Sequence, residues 1–155
     1  MNSKNISQGA EPPDPAFGSQ SNLRHRILVA EDDQNIRYLN TETLAGSGYK
    51  VDAAADGADA WEILQLNHYD LLVTDDNMPK MSGIELITKL RAARIVLQVI
   101  LVSGTLPAEQ LQRHPWLQIE AMLLKPYTSN ELLATVKKVL CATDFISTQA
   151  APLPN

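Results

Sequence analysis

Short apolar runs alternate along this chain with segments whose apolar residues recur every three or four positions. The runs are 26–30 (RILVA), 49–54, 70–74 (DLLVT), 96–102 and 119–124, of which 49–54 is the least apolar. Runs of this length predict buried strands. The segments between them have helical spacing. The first, 34–45, places Ile36, Leu39, Thr43 and Leu44 near one face, and Gly46 and Gly48 end it. The second, 58–66, turns Ala60, Ile63 and Leu64 inward, and the third, 83–91, turns Ile84, Ile87 and Leu90 inward. A short helix is expected over 108–113, behind Pro107. A longer one is expected over 129–140, with Leu132, Leu133, Val136, Val139 and Leu140 on its core face. Strand and helix therefore alternate five times, a (βα)5 pattern. It predicts an α/β domain with a parallel sheet covered on both faces. Ligands of such open sheets sit at the carboxyl ends of the strands.

The outer segments break this rhythm. Residues 1–22 are polar and carry Gly9, Pro12, Pro13, Pro15 and Gly18, and so read as a linker-like tail. Residues 146–155, with Pro152 and Pro154, read as a second tail, leaving 23–145 as one folded unit. Composition is that of an ordinary globular protein, 45% hydrophobic and 20% charged. The net charge of -5 and absence of a Lys/Arg cluster argue against direct nucleic-acid binding. No run is long enough for membrane insertion and no signal peptide stands at the start, so a cytoplasmic location is expected. Cys141 is the single cysteine and falls in an apolar helical pattern, where a small buried or half-buried residue is expected.

The chemistry gathers where the strand rule points. The first run ends in Glu31, Asp32 and Asp33, and the third in Asp75, Asp76 and Asn77. The fourth ends in Ser103, Gly104 and Thr105, and the fifth in Lys125 and Pro126. Magnesium takes carboxylate, carbonyl and water oxygens. Glu31, Asp32 and Asp75 can supply the carboxylates, while the Ser103 hydroxyl and Lys125 ammonium suit phosphoryl oxygens. Clustered acids repel one another without a cation, so helix capping alone does not account for them. Asp33 is the exception, expected as the N-cap of the first helix.

Four segments carry a resemblance: ILVAEDD (27–33), DLLVTDDNMPKMSG (70–83), VILVSGT (99–105) and LLKPY (123–127). In order and spacing they resemble the receiver domain of two-component response regulators, over about 26–140. The resemblance implies a flavodoxin-like, doubly wound five-stranded sheet of order 2-1-3-4-5 and an aspartyl-phosphate intermediate. It implies Asp75 as phosphoacceptor, with Glu31 and Asp32 holding Mg2+ (or Mn2+), Asp32 ahead of Glu31 as direct ligand. The Asn77 backbone carbonyl joins the metal set, Ser103 stands at the hydroxyl position as Ser rather than Thr, and Lys125 contacts the phosphoryl oxygens. A cis bond before Pro126 is expected. The implied partners are a histidine kinase or histidine phosphotransfer protein as donor and a downstream protein as output. The chain would then be a stand-alone signalling receiver, not a metabolic enzyme.

One position departs from that pattern. Such switches often carry Tyr or Phe three residues before the lysine, and here it is Met122. Ser103 and Met122 are therefore the expected switch residues, with side-chain repacking in place of an inward ring rotation. Tyr127 could substitute for the missing ring. Gly104 should leave the acceptor open to another protein. Asp76 reads as a solvated loop acid, Trp116 as packing, and His25, His68 and His114 as surface residues. Two other functions compete. An aspartate-nucleophile phosphohydrolase of the haloacid-dehalogenase type needs a second acid two residues after the nucleophile, where Asn77 stands. A phosphorylation-independent scaffold would have no need of the acids and the lysine together.

Overall fold

The expected apolar runs form strands: β1 (Arg26–Ala30), β2 (Lys50–Ala54), β3 (Leu71–Asp75), β4 (Gln98–Ser103) and β5 (Ala121–Leu124). The computed structural model describes residues 25–105 and 108–150, so the expected tail 1–22, Pro107 and 151–155 lie outside the described residues. All pairings are parallel, and the five-stranded sheet has the order β2-β1-β3-β4-β5. Side chains alternate across it. Ile27, Val29, Leu71, Val73, Ile100 and Val102 face one apolar cluster, and Leu28, Ala30, Leu72, Val99 and Leu101 face the other. Both faces are dry because helices cover both.

The helices are α1 (Gln34–Gly46), α2 (Gly57–Leu66), α3 (Gly83–Ala92), α4 (Ala108–Arg113) and α5 (Ser129–Ala150), with a 3-10 turn at Pro115–Leu117. Leu44 of α1 and Leu132, Val136, Val139 and Leu140 of α5 close the first cluster, while α2 and α3 close the second. Side chains fix the helix starts. Asp33 Oδ1 accepts from the Asn35 and Ile36 amides, as expected of an N-cap, and Asp56 caps α2 by accepting from the Asp59 amide. Ser82 with Glu85, and Thr128 with Glu131, form reciprocal capping boxes for α3 and α5. Gly48, at φ 101°, takes the left-handed position beyond the end of α1.

Several expectations need correction. In α1, Leu39 is exposed and Asn40 takes the inward place, because 36, 40 and 44 lie on one line of the helix and 39 lies beside it. Helix α5 runs past 140 to Ala150, entering the stretch read as a tail, since no Gly or Pro interrupts residues 141–150. Cys141 is exposed, one residue past the buried Leu140. Val96 is 84% exposed because the chain is still turning there, with Arg94 at φ 60°, and β4 begins only at Gln98. Trp116 is 53% exposed rather than packed, because the 3-10 turn sends Leu117 inward. His25 and His114 are half-buried beside Tyr49 and Trp116, and only His68 lies at the surface.

One glycine ties this fold to the rim where the polar groups gather. A Cβ on Gly83 would overlap the carbonyl oxygen of Asp75 and crowd the Asp76 backbone. Gly83→Ala should therefore cost about 1–3 kcal/mol of stability, as overpacking does. Urea unfolding checks this, and an unchanged midpoint would mean that the loop yields without cost.

Candidate functional site

The carboxyl ends of β1, β3, β4 and β5 form one rim. Glu31 follows β1, Asp75 closes β3, Ser103 closes β4, and Lys125 follows β5. Glu31 and Asp75 are each only 3% exposed, and Ser103 6%. Asp32 is exposed at the edge. One carboxylate oxygen from each of Glu31, Asp32 and Asp75 lies within 4.8 Å of the others. Lys125 Nζ reaches across, 3.0 Å from Asp75 Oδ1 and 3.9 Å from Glu31 Oε1. The bond between Lys125 and Pro126 is cis, as expected.

The backbone holds the acids in place. Glu31 Oε2 accepts from the Asp33 amide at 2.9 Å, and Arg37 donates to the carbonyl oxygens of Glu31 at 2.8 Å and Asp32 at 3.4 Å. The Lys125 amide donates to the Ser103 carbonyl at 2.9 Å, locking the end of β5 to the end of β4. Asp76 is not the free loop acid expected. Its Oδ1 accepts from the Ile84 amide at the start of α3, and its amide donates to the Val102 carbonyl. Asn77 is exposed and, with Ser103, Gly104 and Thr105, lines an open depression of about 600 Å³. A Cβ added to Gly104 would meet nothing within 4 Å, so that wall of the depression is open. The Ser103 hydroxyl accepts from the Thr105 amide at 3.2 Å.

The charges are out of balance. Burial pushes the Glu31 carboxyl up to about 7, with Asp75 adding to the rise, against the Asp33 amide and Lys125. Burial also raises Asp75, although Lys125 works the other way. Burial disfavours the Lys125 cation, but the bond to Asp75 and the charges of Asp75 and Glu31 together outweigh it and hold its pKa above the ordinary value. One ammonium thus faces a set of three acids. Oxygen-only donors, two of them buried and raised, suit a hard divalent cation.

The consequence for pH has a definite sign. Between the ordinary value of 4.5 and about 7, folded Glu31 binds more protons than unfolded Glu31. Its contribution to stability therefore falls as pH rises through that window. Saturating Mg2+ should raise the thermal midpoint more at about pH 8 than at about pH 5, because protons and cation compete for the same oxygens. Scanning calorimetry checks this, and an equal increment at both values would place the cation elsewhere.

Sequence reasoning missed two supports of this site. Arg37 was legible only as one more charge on a helix. Asn40 donates to the Tyr127 hydroxyl at 2.8 Å, and its burial reverses the usual rule for polar side chains. Tyr127 packs on the α1/α5 cluster and Met122 on the opposite one, so Tyr127 does not stand in for the missing ring.

Fold and site together define a parallel α/β domain with an acidic pocket and a lysine on the carboxyl rim of its sheet. The chain belongs to the response regulator receiver domain family, whose profile matches residues 27–137. Over 110 residues it is 36% identical to the sensor histidine kinase RcsC of Escherichia coli, covering 71% of this chain and 12% of that protein. Over 112 residues it is 31% identical to the transcriptional regulatory protein DltR of Streptococcus agalactiae, covering 72% of this chain and 50% of that protein. The chain thus spans half or less of these curated relatives. Among solved structures it is similar to the receiver domain of the Francisella response regulator 1452, with TM-score 0.71 and 29% identity over 77% of this chain and 99% of that one. It is also similar to the response regulator TrrA of Thermotoga maritima in complex with Mg2+ and BeF, with TM-score 0.65 and 31% identity over 74% of this chain and 98% of that one. Receiver domains are signalling domains of two-component systems that bind Mg2+ at an acidic pocket, and Glu31, Asp32 and Asp75 form such a cluster here. No helix among the described residues is long and apolar enough to cross a membrane.

Proposed function

We propose that Asp75 accepts a phosphoryl group from a phosphohistidine on a histidine kinase or phosphotransfer protein, and that the phosphorylated state changes the affinity of the chain for a downstream protein. The observation that carries this reading is the 3.0 Å pair between Lys125 Nζ and Asp75 Oδ1 inside a cluster of acids. An Asp75 carboxylate oxygen attacks phosphorus, the new P–O bond forms as the P–N bond to the donor imidazole breaks, and the imidazole leaves. Lys125 offsets the charge on the transferring oxygens and orients them. Gly104 and the open depression leave room for the donor's imidazole. Glu31, Asp32, Asp75 and the Asn77 carbonyl would hold Mg2+, which when bound supplies charge neutralisation at the phosphoryl oxygens. The chain's own chemistry is then confined to its own phosphorylation and dephosphorylation.

The test is incubation with acetyl phosphate and Mg2+. One added phosphoryl group by intact mass, mapped by borohydride reduction to Asp75, supports the reading. Absence of the adduct, or an adduct on another residue, overturns it.

For output, Ser103 and Met122 are the switch residues of this proposal. Ser103 leaves the Thr105 amide for the phosphoryl group, and Met122, half-buried against the α2/α3 cluster, repacks behind it. Beryllofluoride should then shift amide resonances at 103–113 and 122–130. Shifts confined to α1 and α2 would place the output surface elsewhere.

A further inference from the structure

The loops that carry Glu31 and Asp32 on one side and Lys125 on the other belong to β1 and β5, which do not pair: β3 and β4 lie between them. A side-chain route over α1 joins them instead. Arg37 donates to the carbonyls of Glu31 and Asp32. One turn on, Asn40 donates to Tyr127, two residues beyond Lys125. A further turn on, the Thr43 hydroxyl donates to the Ser129 hydroxyl at 3.3 Å. Successive turns of α1 thus grip the acid loop and then the lysine loop.

Asn40 is the unusual member. It is 4% exposed, in a place that the spacing of Ile36 and Leu44 marks as apolar. A buried amide must be bonded or it destabilises the fold. Leu at 40 facing Phe at 127 would fill similar space without that requirement, so stability alone gives no reason for the pair. The bond adds direction. Lys125 sits on a flexible stem with its side chain 30% exposed, and where its ammonium points depends on where the loop is held.

We propose that Asn40 is a positioning residue for phosphoryl transfer: bonded to Tyr127, it holds the loop that aims Lys125 at Asp75. This rests on the reading of Asp75 as acceptor. A loop released from α1 lets the ammonium drift from the transferring oxygens while the acids stay where Asp33 and Arg37 hold them. Phosphorylation then suffers and metal binding does not.

The test uses Asn40→Leu, Tyr127→Phe and the double variant. Acetyl phosphate labelling at saturating Mg2+ should slow about tenfold in each single variant, the scale expected of a misplaced catalytic group. The double variant should be no slower than the singles, since one bond is lost in all three. Mg2+ affinity should stay at the parent value in all three variants, and the 15Nζ signal of Lys125 should shift. The thermal midpoint should hold in the double variant and fall in Tyr127→Phe, which leaves the buried Asn40 amide without its partner. Tyr127→Phe removes a single oxygen and carries the test alone if Asn40→Leu does not fold. Labelling at the parent rate, losses that multiply in the double variant, or a parallel fall in Mg2+ affinity would each overturn the proposal. Asp75→Asn is the control. If it is silent while Tyr127→Phe labels normally, only this inference fails. If it labels like the parent, both readings fall.

Discussion

Asp75→Asn is expected to reduce acetyl phosphate labelling by about a thousandfold or more while leaving the fold intact. The carboxylate closes β3, beside the acids that follow β1 and 3.0 Å from the Lys125 ammonium. Asn has the same shape but no anionic oxygen to attack phosphorus. Stability should follow a different course. Burial already pushes the Asp75 carboxyl above its ordinary range, so the charge removed is one that burial disfavours. Lys125 loses its partner at 3.0 Å but keeps Glu31 at 3.9 Å. Labelling and thermal midpoint therefore separate: the first disappears and the second does not fall. Quantitative labelling beside a thermal melt checks both. Retained labelling would remove Asp75 from the mechanism, and a collapsed melt would make it a structural residue.

The fold was legible because buried parallel strands are short, nearly uniform apolar runs, and RILVA, DLLVT and the run ending in Ser103 need no context to be seen. Strand ends were less clear. Val96 has strand character, but the positive φ at Arg94 spends it on a turn. Trp116 reads as core by composition, while the 3-10 turn has one inward place and Leu117 fills it. Both errors arise because local geometry, not hydrophobicity, decides which neighbour points inward. The site was legible for another reason. Its groups sit at the one rim where a parallel sheet places chemistry, and each closes a strand or follows closely on one. Glu31, Asp75 and Lys125 come together there, with Asp32 at the edge and Ser103 at the end of the neighbouring strand. What could not be read was the bracing between elements far apart in sequence. The Asn40–Tyr127 pair is 87 residues apart, and no spacing rule links α1 to the loop after β5. A polar residue on the inward line of α1 was the available signal, but Leu39 beside it drew the assignment away.

Asp32→Ala is the second large effect expected, and it tests the pocket without touching the nucleophile. Asp32 is exposed, and Asp33, not Asp32, caps α1. The substitution should therefore cost little stability. Its effect on the cation should be severe. Glu31 is engaged by the Asp33 amide at 2.9 Å and Asp75 by Lys125 at 3.0 Å, so neither can turn outward to replace a lost ligand without breaking a bond it already makes. Altering the groups around a metal costs 10–100-fold in affinity even one shell out, so loss of a direct ligand should weaken Mg2+ binding by about 100-fold or more. Phosphorylation should fall with it, because the raised carboxyls of Glu31 and Asp75 then face the incoming phosphoryl charge with Lys125 as their nearest cation. Excess cation should recover part of the loss, whereas Asp75→Asn should recover nothing. Mn2+ titration followed by electron paramagnetic resonance, with labelling measured across the same concentrations, checks both halves. Unchanged Mn2+ affinity in Asp32→Ala would mean that the cation is not held by the acids after β1. Lost affinity with normal labelling would mean that transfer does not depend on it.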